Sequence, residues 1–303
     1  MMLQYVKMKI PSKYKFWRYP ICLKIKYFFK RLIHRDPVCL TYWINANTYL
    51  WDAKIKPYNW GDYVNLKLAE FISGKTVIPS KYVDSHPKVA MMGSILPWAM
   101  DNETIVWGSG CLNSHDPLWE NVKKPMKVCA VRGPLTRKVL IEHGIDCPEV
   151  YGDPALCFPR YYQPKIQKKH KIGIIPHVSD IKGGWMKDME IPDKALIINP
   201  CTFNDWNEFI DQICSCEVVF SASLHGIIIS DAFSVPNVWV TFLGEEHPDN
   251  NLKFHDYFLS VEKDIENPID IRNVDFDNIE EYVHAWHEPQ IDIDKLLKVC
   301  PIK

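Results

Sequence analysis

Short apolar runs alternate with amphipathic segments along most of the chain. The first series of runs predicts strands at 38–44, 89–92, 104–107, 127–131 and 149–151. Helical patterns lie between them at 62–73, which Gly74 follows, and from Pro134 to about Gly144. Residues 160–171 then turn polar and basic, which is typical of a linker between two folded units.

A second series of apolar runs follows the linker. It predicts strands at 172–175, 195–198, 218–220 and 238–242, and helices at 205–214 and 224–233. Strands that alternate with helices favour parallel sheets covered on both faces. The pattern therefore predicts an α/β protein whose two Rossmann-like domains, 38–163 and 164–303, face a cleft behind an N-terminal segment, 1–37.

Charge is divided unevenly along the chain. Ten of the 36 lysines and arginines lie in residues 1–35, together with none of the 37 acidic residues. One helical face of this segment is apolar and is flanked by basic residues: Ile21, Ile25, Phe28, Phe29 and Leu32, beside Lys24, Arg31 and Arg35. Such a basic amphipathic arm suits the interface of an anionic membrane. A surface helix packed on the protein's own body has the same pattern, so both interpretations stay open.

The same distribution limits the expected partners and location. The acidic remainder of the chain would repel phosphate backbones, so we expect no nucleic-acid partner. The sequence contains no membrane-spanning run of about 18 apolar residues and no apolar leader pattern near its start. We therefore expect a cytoplasmic protein, with peripheral contact to the inner face of the membrane through residues 1–35.

Polar side chains recur where the predicted strands end. In open parallel sheets, ligands bind at the carboxyl ends of the strands. Positions of this kind hold Asn59, Gly61, Asp62, Ser109, Arg132, His177 and His225. Arg132, His177 and His225 are potential cations, and helix N-termini add free N–H groups. Together they predict a pocket for a compact anion.

Each of these residues also has a purely structural interpretation. Arg132 would pair with a surface carboxylate, and His177 and His225 would bond to backbone carbonyls in the core. Residues 59–62 would form a turn and cap, and Asp153 would cap another helix. The coincidence of so many polar groups at one class of position is what favours a binding site.

Seven motifs follow one another in an order that resembles a known family. They are NWGDYVNLKLAEFISGK, VWGSG, VRGPLTRKVL, GDPAL, IGIIPH, SASLHGIIISDAFSVP and KFHDYF. Any one of them is a weak signal. The ordered set, from about residue 58 to the closing LLKVCPI, is similar to the polysaccharide pyruvyl transferase family, in particular its bacterial exopolysaccharide and capsule branch.

The resemblance implies a two-domain fold similar to that of GT-B glycosyltransferases. It also implies transfer of pyruvate from phosphoenolpyruvate to two hydroxyls of one sugar, giving a cyclic ketal and free phosphate. By this resemblance, Arg132 and His225 would bind or activate the donor. Many members have an arginine where this chain has Ser223, so a second anion contact would come from His177 or Lys253. No metal and no other cofactor is expected.

The implied chemistry begins with protonation of the enol methylene carbon. An imidazolium is disfavoured at a helix N-terminus, so we expect His225 to become an effective acid only when a phosphate dianion is bound. His225 then donates the proton, or it holds the phosphate while His177 delivers the proton. Asp62 or Asp153 would accept the proton of the attacking hydroxyl.

The expected acceptor is a sugar of a growing surface polymer. If that sugar is part of a lipid-linked repeat unit, the basic arm would hold the enzyme against the same membrane. Two other functions remain as alternatives. One is a glycosyltransferase of the same two-domain fold that uses a nucleotide sugar, and the other is a non-catalytic membrane-associated scaffold, which would need no anion pocket.

Overall fold

The computed structural model describes residues 12–34, 36–43, 59–82, 87–183, 191–192, 195–242 and 251–303. Arg35 and Ile44, both named in the sequence predictions, lie outside these residues, as does the side chain of Ile21. The first described element is helix α1, Ser12–Ile33. No helix among the described residues combines the length and the apolar character that crossing a bilayer requires.

Five parallel strands form the N-terminal sheet, in the order β2-β1-β3-β4-β5. Their bounds are β1 Val38–Thr41, β2 Val77–Pro79, β3 Lys88–Ala90, β4 Thr104–Trp107 and β5 Lys127–Ala130. Two helices belong to this half, α2 Trp60–Ser73 and α3 Pro134–Glu142. Asn59 caps the start of α2 through its side chain, and Gly74 ends it at a φ of 64°, a left-handed conformation that suits glycine.

The C-terminal sheet also has five parallel strands, in the order β10-β9-β8-β6-β7. Its strands are β6 His170–Ile175, β7 Ala195–Ile197, β8 Cys216–Ser221, β9 Asn237–Thr241 and β10 Ile269–Asp270. The helices of this half are α4 Val178–Gly183, α5 Glu208–Cys214, α6 Leu224–Ala232, α7 Leu252–Ser260, α8 Ile279–Ala285 and α9 Ile293–Lys298. Two parallel sheets with interspersed helices are consistent with two Rossmann-like domains.

The sequence pattern was correct for most elements and wrong for one strand. Helix α3 begins at Pro134 and α6 begins at Leu224, as predicted. The predicted strand at 149–151 is only a single bridge between Tyr151 and Val131. Pairing stops there because Gly152 adopts a φ of 137° and turns the chain into the 3-10 helix Pro154–Arg160. The elements that were not predicted are the short strands β2 and β10 and the helices α4, α7, α8 and α9.

An aromatic cluster joins the two halves of the molecule. Trp60, the first residue of α2, is fully buried and stacks on Phe209 of α5 at 4.6 Å between ring centroids. Its indole Nε1 donates to the carbonyl of Trp206 at 2.7 Å, and its backbone N–H donates to the carbonyl of Pro200 at 2.8 Å. Since these contacts satisfy both donors of Trp60, the start of α2 is fixed to the C-terminal half.

The last helix returns to the N-terminal half. Trp107 at the end of β4 donates its indole N–H to the carbonyl of Leu296 in α9 at 3.0 Å. The Leu296 side chain also lies against Gly152. The boundaries 38–163 and 164–303 stay a prediction, but the contacts show that the last turns of the chain pack against strands of the first sheet.

Candidate active site

Arg132 lies directly after β5, where the chain turns toward α3. Its side chain is fully buried, and its Nε donates to Asp256 Oδ2 at 3.0 Å. Nη1 and Nη2 donate to Ser94 Oγ at 2.6 Å and to the carbonyl of Cys111 at 2.8 Å. The Asp256 carboxylate also accepts bonds from the backbone N–H and the hydroxyl of Thr136. Because Asp256 belongs to α7, this buried ion pair joins the two halves, and it replaces the surface carboxylate that the structural interpretation expected.

Two motif glycines make room for this ion pair. A Cβ on Gly110 would lie 2.4 Å from Arg132 Cζ, and a Cβ on Gly133 would lie 1.8 Å from the backbone oxygen of Asp256. Neither glycine has a positive φ, so the requirement is close approach of the backbone rather than an unusual conformation. The Gly-Ser-Gly turn and the Arg-Gly-Pro turn therefore enclose the Arg132 guanidinium.

His225 occupies the first turn of α6, where Ser223 is the N-cap residue. Its imidazole lies against the backbone of Gly61 in the first turn of α2, where an added Cβ would lie 2.2 Å from His225 Nδ1. Asn59 holds that turn by accepting a hydrogen bond from the Gly61 N–H at 3.2 Å. The N-termini of α2 and α6, one from each half, therefore meet at His225.

The His225 ring has a low proton affinity. Burial, followed by the positive charges of Arg132 and Lys253, lowers its pKa from 6.5 to about 4. A ring with this pKa is neutral near pH 7, with burial rather than the helix N-terminus as the largest cause, and the donor-dependent change to an acid stays a prediction. The contribution of both cations also shows that Arg132 and Lys253, which are far apart in sequence, lie within electrostatic reach of the same ring.

Two buried polar atoms of this region have no hydrogen-bond partner among the described residues. They are His225 Nε2 and Ser109 Oγ, and a third such atom, Tyr42 Oη, lies directly after β1. Ser109 is fully buried, and its carbonyl accepts the backbone N–H of Arg132 at 3.2 Å. An unsatisfied buried polar atom destabilises a protein by about 1–3 kcal/mol, so two of them beside a buried arginine indicate positions that a ligand would satisfy.

The two candidate carboxylates have different surroundings. Asp153 caps the 3-10 helix, since its Oδ1 accepts the N–H of Ala155 at 2.9 Å, and burial raises its pKa to about 6. Asp62 lies in the first turn of α2, where no described residue donates a hydrogen bond to its carboxyl group, and burial raises its pKa to about 7. Asp62 is thus the carboxylate that is both unengaged and poised to exchange a proton near neutral pH.

The remaining predicted residues are placed as follows. Lys253, in the first turn of α7, is buried, and its Nζ lies 5.5 Å from the centroid of the Phe254 ring. Ser223 is buried at the N-cap of α6, where its backbone N–H donates to Ser221 Oγ at 3.1 Å. The turn interpretation of Asn59 is correct, because its side chain caps α2. That cap also positions Gly61 beneath His225.

His177 lies two residues after the end of β6, at the carboxyl end of that strand, as predicted. Its Nδ1 pairs with Ser179 Oγ at 2.7 Å, and its backbone N–H donates to Asp180 Oδ2 at 2.8 Å. Its chemical role stays a prediction, and of the two proposed cations Lys253 is the one that acts electrostatically on His225.

Sequence reasoning missed two residues that hold the site together, Asp256 and Ser94. Asp256 lies within the quoted motif KFHDYF, an acid between aromatic positions of an apolar helix face. A carboxylate at such a position is nearly always paired with a cation. This rule was the signal that could have identified Asp256. Ser94 follows β3, and its loop is fixed to the Gly-Ser-Gly turn by the Gly110 N–H donating to the carbonyl of Gly93 at 3.0 Å.

Two cavities bordered by described residues lie at the amino-terminal end of the first sheet, away from the candidate residues. One, of about 1120 Å³, is lined by residues such as Ile105, Lys127 and Lys298. Ile105 and Lys127 belong to the amino-terminal parts of β4 and β5, whereas the candidate residues follow the carboxyl ends of the strands. No group of three or more histidines, cysteines or acidic residues within the described ranges is arranged to hold a metal ion.

Comparison with known proteins finds a matching family model and relatives of similar sequence. The family model described as polysaccharide pyruvyl transferase matches residues 21–242. The chain is 30% identical over 219 residues to the uncharacterized protein L143 of Acanthamoeba polyphaga mimivirus, which covers 69% of this chain and 74% of that protein. It is 28% identical over 221 residues to the succinoglycan biosynthesis protein ExoV of Rhizobium meliloti (strain 1021), covering 67% of this chain and 64% of that protein.

Proposed function

Because the chain belongs to the polysaccharide pyruvyl transferase family, we propose that it transfers pyruvate from phosphoenolpyruvate to two hydroxyls of a sugar, as a cyclic ketal, in surface polysaccharide biosynthesis. The observation that carries the proposal is the buried Nε2 of His225, which no described residue bonds, beside the positive charges of Arg132 and Lys253. The name of the relative ExoV, a succinoglycan biosynthesis protein, supports the same class of polymer.

Donor binding would use the polar atoms that the protein leaves unsatisfied. Phosphoenolpyruvate carries a carboxylate and a phosphate on three carbons. His225 Nε2 and Ser109 Oγ each offer a hydrogen bond, and Lys253 offers a positive charge. Arg132 already donates three bonds to protein acceptors and is fully enclosed. We therefore assign Arg132 to shaping and polarising the site rather than to gripping the donor with both of its terminal nitrogens.

Proton transfer would depend on the bound donor. In the free protein His225 is neutral at pH 7, because burial and two nearby cations hold its pKa at about 4. A phosphate dianion would offset those cations and let the ring take up a proton. The protonated Nε2 then delivers that proton to the methylene carbon, the enol double bond breaks, and the cation left on the central carbon is attacked by a sugar hydroxyl.

The attacking hydroxyl must lose its proton. Asp62 follows Gly61, against which the His225 ring packs, and its raised pKa of about 7 suits a general base. Phosphate would leave as the second hydroxyl of the same sugar closes the ring, and the phosphate would take up the proton that this hydroxyl loses. The balanced outcome is one ketal and one free phosphate for each phosphoenolpyruvate and diol consumed.

The acceptor sugar would lie on the β1 side of this site. Trp43, which follows β1, and Trp98, in the loop that carries Ser94, form an edge-to-face pair with centroids 5.7 Å apart. Their exposed fractions are 54% and 41%. Exposed aromatic rings beside a binding site mark contacts with a partly apolar ligand, and the faces of a sugar ring fit that description.

The decisive assay incubates the protein with phosphoenolpyruvate and candidate diol saccharides, including lipid-linked ones, and measures free phosphate. We expect phosphate only when a diol acceptor is present, with an equal amount of ketal product. A glycosyltransferase of GT-B-like fold would share the two Rossmann-like halves, so a parallel reaction supplies nucleotide sugars. Release of nucleotide without any release of phosphate from phosphoenolpyruvate would overturn the proposal in favour of that alternative.

A further inference from the structure

In the part of helix α1 whose side chains the structure describes, residues 23–33, the buried side chains lie on one face. Leu23 and Tyr27 are buried, and Tyr27 stacks on Tyr82 with centroids 5.7 Å apart and the ring planes 6° from parallel. One turn further on, Lys30 Nζ donates to the carbonyl of Val77 at 3.5 Å. These residues, spaced three and four apart, form a single stripe along a helix of 3.6 residues per turn.

The opposite stripe is apolar and exposed. We call it the α1 apolar face; it consists of Ile25, Phe28, Phe29, Leu32 and Ile33. Their exposed fractions run from 51% at Ile25 to 74% at Ile33. They make up five of the thirteen exposed large apolar side chains in the described part of the chain. The helix does pack on the protein's own body, but through Leu23 and Tyr27 rather than through these side chains.

Basic residues flank the α1 apolar face. Lys24 and Arg31 lie along one border and Lys26 along the other, and all three are exposed. The surrounding segment, residues 1–35, holds ten of the chain's 36 basic residues and no acid. An apolar stripe with cationic borders complements the acyl boundary and the anionic headgroups of a bilayer.

We propose that α1 lies in the plane of an anionic membrane surface, with the α1 apolar face inserted at the headgroup boundary. The helix does not need to cross the bilayer, in agreement with the absence of a spanning helix among the described residues. The proposal stands apart from the proposed function, because it rests on exposure and charge rather than on the His225 site.

The test is co-sedimentation of the full chain with vesicles. Two compositions are compared, pure phosphatidylcholine and a mixture containing phosphatidylglycerol. We expect strong binding to the anionic vesicles alone, falling as salt is raised. The double variant Phe28→Ser/Phe29→Ser should lower the partition coefficient about tenfold or more, and Lys24→Glu/Lys26→Glu should remove the preference for anionic lipid.

A matched control tests whether vesicle binding depends on the α1 apolar face or on exposed apolar side chains in general. Leu118 and Leu259 are exposed to a similar extent, 50% and 52%, but belong to other elements. The variant Leu118→Ser/Leu259→Ser should bind vesicles as the parent does. Phosphate release with a soluble acceptor should be the same for all these variants, which keeps failure of the membrane proposal distinct from failure of the proposed function.

Two results would overturn the proposal. One is equal, weak sedimentation of the parent and of Phe28→Ser/Phe29→Ser with both vesicle types. The other is a dimer in light scattering that Phe28→Ser/Phe29→Ser converts to a monomer while vesicle binding is absent. In that case the α1 apolar face would be covered by a second copy of the chain.

Discussion

Two buried polar clusters of the C-terminal half differ in how completely they are satisfied. At the end of α6, Asp231 Oδ1 accepts bonds from Lys263 Nζ at 2.6 Å, Asn237 Nδ2 at 2.6 Å and Trp286 Nε1 at 3.0 Å. Its Oδ2 accepts the hydroxyl of Tyr257 at 2.9 Å. At the start of the same helix, His225 Nε2 has no partner among the described residues.

The difference separates a structural cluster from a functional one. Every donor that surrounds Asp231 is used, so this cluster needs no ligand and fixes α6 against α7. His225 and Ser109 keep unused polar atoms next to the enclosed pair Arg132–Asp256. The hydrogen bonds of Asp231 fix one end of α6 in place. At the other end, the His225 imidazole is therefore held in position while its Nε2 keeps no partner among the described residues.

The substitution with the largest expected effect on activity is His225→Gln. Glutamine keeps a polar side chain of similar reach but does not exchange a proton, so phosphate release should fall by about 10²–10⁴-fold. The melting temperature should stay within a few degrees of the parent, because His225 Nε2 bonds to nothing in the described structure. His115→Gln, at an exposed position, is the matched control. Near-parental turnover in His225→Gln would remove the imidazole from the chemistry.

The complementary change, Asp231→Ala, should act on stability instead. It leaves the buried Lys263 charge without a counter-ion, so the free energy of unfolding should fall by about 3–5 kcal/mol. Urea unfolding measures this loss, and the double variant Asp231→Ala/Lys263→Met should recover much of it. If Asp231→Ala unfolds at the same urea concentration as the parent, the cluster is not the anchor that we describe.

The carboxyl group of Asp62 should make the stability of the folded protein depend on pH. Its folded-state pKa of about 7 lies above the ordinary 3.8, so the folded protein holds a proton that the unfolded chain releases. Stability from this group is complete below about pH 4 and is lost as pH rises to about 7. Asp62→Asn should therefore be more stable than the parent at pH 8 and equal to it at pH 4, by thermal unfolding at both pH values. A stability difference that does not vary with pH would contradict the raised pKa.

The smallest effect is expected from Ser109→Ala. Removing a buried hydroxyl that has no partner should leave stability unchanged or slightly higher. The KM for phosphoenolpyruvate should rise about tenfold if Ser109 Oγ bonds to the donor, because a hydrogen bond to a charged group contributes about 1.5–3 kcal/mol. Steady-state phosphate release measures the KM for phosphoenolpyruvate. An unchanged KM would show that Ser109 does not bind the donor.

The pattern of apolar runs was sufficient to predict the two parallel sheets, because buried parallel strands are short and apolar on both faces. It placed Arg132 and His225 at strand ends and helix starts. It could not show that Gly61 lies beneath the His225 ring or that Gly133 lies against Asp256, since those contacts join residues more than 100 positions apart.

The limits of the sequence analysis have a common physical cause. Lys253 and Asp256 lie on one helix, α7, and act on different partners, a ring in one case and a guanidinium in the other. The partners of Lys253 and Asp256 depend on how α7 packs against the rest of the protein. That packing cannot be read from a single sequence. The arm was predicted as an amphipathic helix, but only the structure shows that Leu23 and Tyr27 are the residues that face the protein.

The central claim is that bound donor converts His225 from a neutral ring into an acid. A histidine-selective NMR titration, with the His225 signal assigned by its loss in His225→Gln, measures this directly. Without phosphoenolpyruvate the pKa should be about 4, and with saturating phosphoenolpyruvate it should rise above the ordinary value of 6.5. A pKa that stays near 4 with the donor bound would contradict the account.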